Sequence, residues 1–276
     1  VLGHDSTLLT TLDDMIRHAR AVVQGVREAM VVVDLPFGSY LPDDLSLSVR
    51  HAVRVLQETG AQAVKLEGGR AMLPVVRALT AVGIPVMGHL GLTPQSVHQF
   101  GGYHVQGRRE EEAQRLREDA AALEAAGIFA LVLELLPISL AGEIAKRLKA
   151  PVIGIGAGPQ CDGQVQVLHD LLGVYEDFVP KHAKRYAQLG VAIREAVGRY
   201  VTEVKERKFP GSEHGFEPQP AAASGALPAA PESSGSKPGA ASTAKAKKNK
   251  QRSPVPPVPP PRGGAGPSLP AGGVAP

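Results

Sequence analysis

From Met30 onward the chain alternates short apolar runs rich in β-branched residues with longer amphipathic stretches, and this alternation limits the fold more than any other feature. The runs are 30–34 (MVVVD), 63–67 (AVKLE), 85–89 (PVMGH), 130–134 (ALVLE) and 151–156 (PVIGIG), with a weaker sixth at 177–179 (DFV). Stretches of helical length lie between them at 43–59, 70–82, 108–126, 138–149 and 164–172. Strands that are apolar on both faces and separated by helices predict a parallel sheet covered by helices. One more helix is expected at 10–27, opened by Thr and acidic residues suited to an N-terminus. A long helix over 183–206 stops before Pro210 and Gly211.

A doubly wound open sheet and a (β/α)8 TIM barrel both satisfy that pattern. Asp34, Glu67, His89 and Glu134 each stand at the C-terminal end of a separate run. On an open sheet these residues would be spread out, whereas in a barrel they converge at the mouth. The expectation is therefore a (β/α)8 TIM barrel, N-terminally incomplete, with about six strands visible and two more expected upstream of Val1.

Composition divides the chain. Of its 24 prolines 14 follow Phe216, and residues 217–276 hold no Phe or Tyr, which leaves that segment too little apolar surface to build a core. The expected domains are a barrel over 1–216 and a disordered Pro/Ala/Gly/Ser/Lys-rich tail over 217–276. Two motifs in the tail, KAKKNK at 245–250 and PVPPVPPPR at 254–262, could serve as an anion-binding patch and a polyproline ligand, or simply be solvated extension. The tail carries seven Lys or Arg against two Glu, a net of +5 within a whole-chain +3, so residues 1–216 stand at −2. The pI of about 9.0 is thus a property of the tail, and the body gives no electrostatic reason to expect a nucleic-acid partner. The single cysteine, Cys161, excludes an intramolecular disulfide framework and a multi-cysteine zinc site. No run approaches the length of a membrane span.

Chemistry is concentrated at the strand ends. Asp34 follows three valines and precedes Leu-Pro-Phe, a place where a carboxylate needs a cation or donors, unless it caps the LPDD turn. Lys65 and Glu67 alternate with Leu66 and so share one strand face, which in a barrel is the interior. His89 precedes a tightly constrained loop containing Gly91 and Thr93-Pro94; a lone histidine in such a place is more often structural. Glu134, inside ALVLELLP, is a carboxylate among apolar residues and the best general-base candidate. The run GIGAGPQCDG at 154–163 fails as a dinucleotide loop because Pro159 stands where G-x-G-x-x-G needs glycine; its glycines are expected to admit a substrate or a neighbouring loop. Walker A, H-E-x-x-H and G-x-S-x-G motifs do not occur. Three acids and a lysine without zinc ligands suit a hard divalent cation, Mg²⁺ best of all. Such an ion chelates a 2-oxo acid and stabilises its enolate, which implies carbon–carbon chemistry beside a keto acid.

Eight segments in order, GHDST at 3–7, DLPFGSY at 34–40, KLEGG at 65–69, GHLGLTPQS at 88–96, FGGYHVQGR at 100–108, LVLELLP at 131–137, PVIGIGAG at 151–158 and FPGSEH at 209–214, resemble the ketopantoate hydroxymethyltransferase family over essentially all of residues 1–216. The resemblance implies Mg²⁺-dependent transfer of a hydroxymethyl group from 5,10-methylenetetrahydrofolate to 3-methyl-2-oxobutanoate, giving 2-dehydropantoate. It further implies Asp34 and Glu67 at the metal, Asp34, Lys65 and His89 at substrate, and Glu134 as proton acceptor. By the same resemblance the protein would be a homo-oligomer, commonly a decamer, in the cytoplasm, or in the mitochondrial matrix if eukaryotic. Family members carry, ahead of GHDST, two further strands and a G-D-S-L-G loop supplying a metal aspartate and a substrate serine; these 276 residues do not include it, so weak binding of metal and keto acid is expected. The tail is foreign to the family pattern. Two alternatives stand beside this reading. One is another Mg²⁺-dependent 2-oxo acid lyase or mutase, for which the K-K-C-G-H-type loop is missing; the other is an inactive barrel fragment serving as an interaction surface.

Overall fold

The computed structural model describes residues 2–217, so the expected tail lies outside the described residues apart from Glu217. Six parallel strands are ordered as they occur in the chain and alternate with helices, forming a curled half-barrel. They are β1 (Val32–Asp34), β2 (Ala63–Glu67), β3 (Val86–Gly91), β4 (Ala130–Glu134), β5 (Val152–Ile155) and β6 (Gly163–Gln164). The helices are α1 (Leu12–Gly25), α2 (Leu45–Thr59), α3 (Leu73–Ala81), α4 (Val97–Phe100), α5 (Glu110–Ala126), α6 (Ile138–Arg147), α7 (Leu168–Leu171) and α8 (Leu189–Lys205). α1 starts as its sequence suggests: the Thr11 hydroxyl accepts from the Asp14 amide while the Asp14 carboxylate accepts from Thr11.

Strand register sorts the side chains into two layers. Val33, Val64, Leu66, Leu131, Leu133 and Val152 point outward onto the helices, where Val55, Val75, Val76, Leu79, Leu123 and Ile144 meet them, all nearly or fully buried. That layer is the core, and each fully buried aliphatic in it stabilises the fold by about 1.5–3 kcal/mol. The opposite face carries Asp34, Lys65, Glu67, His89 and Glu134 together with Ala63, Met87 and Val132. Polar residues therefore gather on the concave side because the period-two alternation of each strand leaves the helix side to Val and Leu.

Three expectations need correction. The sixth strand is Gly163–Gln164, which pairs with Ile153 and Gly154; residues 177–179 form no strand, and Phe178 is exposed. After β5 the chain returns to the sheet edge at once, Val165 N donating to Gly154 O, so the next pairing position is taken before 177 is reached. The stretch 164–172 yields only the single turn of α7, and α8 begins at Leu189 rather than 183. The cause is local: Gln166 bonds both ways to the Lys184 backbone, and Tyr186 N donates to Leu171 O, drawing residues 184–186 into a loop. The glycines of 154–158 do admit a neighbouring loop, since at Gly156, φ +64°, an added Cβ would lie 2.6 Å from Leu135 Cδ2.

Candidate active site

Asp34, Glu67 and Glu134 are the last residues of β1, β2 and β4, while Lys65 and His89 stand two residues before the ends of β2 and β3 on the same face; register brings them level, Asp34 beside Lys65, Glu67 beside His89, and Gly91 beside Glu134. The five residues form one connected group. Lys65 Nζ is 2.5 Å from Asp34 Oδ2 and 3.3 Å from His89 Nδ1. His89 Nδ1 is 3.6 Å from Glu67 Oε1, and His89 Nε2 is 3.2 Å from Glu134 Oε2, off the line of a well-formed hydrogen bond and with no other partner among the described residues. The Lys65 ammonium facing Nδ1 favours, for a neutral imidazole, the tautomer with its proton on Nε2, on the side of Glu134. His89, whose side chain is 3% exposed, is thus the hub that joins the acid at β4 to the pair at β1 and β2, a placement at odds with an isolated structural histidine.

Electrostatics follow from this crowding. Burial raises the Asp34 carboxyl above its ordinary range, against the pull of Lys65 and with the Glu67 charge adding to the rise. For His89 burial works against the imidazolium, but bonding to Glu134 and Glu67 outweighs it and the net shift is upward.

Hard-cation ligation can be judged from the same atoms. Asp34 Oδ1 is buried with no hydrogen-bond partner among the described residues, a costly arrangement unless the oxygen is kept for a cation or substrate donor. Glu67 supplies a second carboxylate. Among the described residues no group of three or more His, Cys, Asp or Glu stands ready to hold a metal. A two-carboxylate set nonetheless suits Mg²⁺, which ordinarily keeps waters and substrate oxygens in its remaining positions. Asp34 and Glu67 therefore fit the ion.

Two residues escaped the sequence reading. Tyr40 accepts from the Glu67 amide at 3.1 Å and donates to Gln95 Oε1 at 2.9 Å, while the Gln95 backbone N donates to Glu67 Oε2 at 3.0 Å. They stand in the DLPFGSY and GHLGLTPQS segments, but only the fold reveals that those segments meet. A cleft of about 500 Å³ borders Glu67 on the β2–β3 side, with Met72, Phe100 and Leu116 among its walls. Next to the candidate base, Leu135 holds φ 49°, a left-handed conformation unusual for leucine. Its N donates to Ile155 O and its carbonyl accepts from Gln106 N, which pins the turn that follows Glu134.

Comparison with known proteins identifies the family of the chain. The family model described as ketopantoate hydroxymethyltransferase matches residues 1–212. The 3-methyl-2-oxobutanoate hydroxymethyltransferase of Roseiflexus sp. (strain RS-1) is 58% identical over 214 residues, 78% of this chain and 76% of that protein. Its counterpart in Chloroflexus aurantiacus (strain ATCC 29366 / DSM 635 / J-10-fl) is 55% identical over 82% of this chain and 80% of that protein. The one in Heliobacterium modesticaldum (strain ATCC 51547 / Ice1) is 55% identical over 78% of each. Among solved structures, N-(5'-phosphoribosyl)anthranilate isomerase from Pyrococcus furiosus covers 55% of this chain and 62% of its own at 16% identity and TM-score 0.35, a likeness too weak to carry an argument. A family match over most of the chain, together with relatives this similar, establishes that the chain belongs to the ketopantoate hydroxymethyltransferase family, enzymes that transfer a one-carbon unit.

Proposed function

We propose that the protein transfers a hydroxymethyl group from 5,10-methylenetetrahydrofolate to 3-methyl-2-oxobutanoate, forming 2-dehydropantoate. The observation that carries this reading is the convergence of Asp34, Lys65, Glu67, His89 and Glu134 at four adjacent strand ends, linked by separations of 2.5–3.6 Å. Asp34 and Glu67 would hold Mg²⁺, which when bound would polarise the keto oxygen and acidify the C–H beside it. The Lys65 ammonium and Asp34 orient the keto acid. Glu134 takes the proton from C3, and His89, whose Nε2 lies 3.2 Å from Glu134 Oε2, positions that carboxylate. C3 then bonds to the methylene carbon as one of its two C–N bonds to the folate breaks, water displaces the second nitrogen and supplies the hydroxyl oxygen, and the proton taken by Glu134 together with one from that water ends on the two nitrogens of the departing tetrahydrofolate. This reading includes a homo-oligomer, as the sequence resemblance implies, and a cytoplasmic location, for which the bacterial source of the relatives named above is the support.

The test separates proton abstraction from transfer. In D₂O with Mg²⁺ and no folate, the protein should exchange the C3 proton of 3-methyl-2-oxobutanoate for deuterium, followed by NMR. Adding the donor should yield 2-dehydropantoate. Absence of both reactions at saturating cation and substrate would overturn the assignment; exchange without product would leave the keto acid in place and remove the folate donor.

A further inference from the structure

We propose that Tyr40 and Gln95 are positioning residues that lock the carboxylate of Glu67 against the loop after Asp34, and so set the geometry in which the two acids meet a cation. The inference rests on the reading of Asp34 and Glu67 as the metal-side pair. Its basis is a closed ring of hydrogen bonds tying three strand ends together. The Tyr40 hydroxyl, on the loop after β1, accepts from Glu67 N at 3.1 Å and donates to Gln95 Oε1 at 2.9 Å. Gln95, on the loop after β3, donates through Nε2 to Leu35 O at 2.8 Å and through its backbone N to Glu67 Oε2 at 3.0 Å. Leu35 N in turn donates to Lys65 O at 2.9 Å, which fixes the residue after Asp34 against β2. Every bond joins residues from different parts of the chain, the segments after β1 and β3 to each other or to β2, so the ring has no slack within a single element.

The ring has a directional consequence. Oε2 of Glu67 is committed to Gln95, which leaves Oε1 facing His89. Tyr40 is 8% exposed, and burial raises its hydroxyl far above the ordinary phenol value, so it remains a donor throughout the working pH range. Neither residue lines the concave face with a charge, and neither is needed to donate an electron pair or a proton. Their effect passes through Glu67. Partners that orient a ligating carboxylate typically change metal affinity by 10–100-fold when removed.

Tyr40→Phe removes one oxygen and opens the ring at two bonds while keeping the buried ring volume. Gln95→Met opens it from the other side. Tyr186→Phe, on an exposed tyrosine distant in sequence from the site, serves as the control. Calorimetric titration of Mn²⁺ in the presence of 3-methyl-2-oxobutanoate should show affinity reduced about 10–100-fold in both ring variants and unchanged in the control. The turnover number should recover toward the parent value at saturating cation. A Tyr40→Phe protein that binds Mn²⁺ within about twofold of the parent overturns the proposal, as does one whose turnover stays low once the cation saturates. A parent that takes up no cation would defeat the metal reading instead, and amide hydrogen exchange then decides the ring. Faster exchange at Glu67 and Gln95 in Tyr40→Phe upholds it, and unchanged protection there refutes it.

Discussion

His89 is held between opposing demands. Burial disfavours its imidazolium, while the Glu134 and Glu67 carboxylates favour it, and the balance lies above the ordinary histidine value. The sign of the linkage follows: the stabilisation from this site is complete below the pKa of an unfolded imidazole, about 6.5, and is lost as pH rises through the higher folded value. In metal-free buffer the His89 ring resonances should therefore titrate above those of a model imidazole, and Glu134→Gln should move that titration down by removing one of the two charges. An unshifted ring in the parent would break the link between β3 and β4. The same substitution should lower turnover by about 10²–10⁴-fold, the usual size of a general-base contribution, because the carboxamide fills the same space but takes no proton. Circular dichroism should report an unchanged fold; turnover within about tenfold of the parent would remove Glu134 from the role. The five charged or titratable site residues were visible in the sequence because a strand otherwise built from Val and Leu makes a polar end conspicuous. Tyr40 and Gln95 were hidden for the opposite reason, since neutral polar residues in loops carry no such contrast.

Within the elements, β3 and β4 approach closely beside Glu134. Gly91 adopts φ +95°, and a Cβ there would run into Leu136 Cδ1 and the Glu134 carbonyl oxygen. Gly91→Ala thus combines left-handed strain with backbone overlap. It should destabilise the fold by about 2 kcal/mol or more in urea unfolding and displace the Glu134 turn, so that activity falls with stability. A variant as stable as the parent would show that β3 can shift relative to β4. A contrasting change on the helix side, Leu131→Ala, should cost about 2–5 kcal/mol because Leu131 is fully buried among aliphatics, yet leave the polar face in register. Strands β1 to β5 were legible because five apolar runs recur between amphipathic stretches. β6 was not legible, because a two-residue pairing of Gly163 and Gln164 has no hydrophobic signature and follows from the chain's return along β5.

At the scale of the whole molecule, the division at residue 216 was read from composition, and its consequence can be measured. Residues 217–276 hold 14 prolines and neither Phe nor Tyr. Burying apolar area at about 25 cal/mol per Å² is the main favourable term in folding, and this segment has little to contribute to it. The charge argument points the same way: the tail's net of +5 against −2 for residues 1–216 could favour a diffuse association, but such an attraction is screened beyond a Debye length of about 8 Å at physiological salt. Removal of residues 217–276 should therefore leave the calorimetric melting temperature within about 2 °C and turnover nearly unchanged. A clearly lower melting temperature in the shortened protein, insensitive to added salt, would mean that the tail packs on the body through apolar contacts. A drop that disappears in high salt would instead identify a charge contact, and in either case the boundary at residue 216 would have to move.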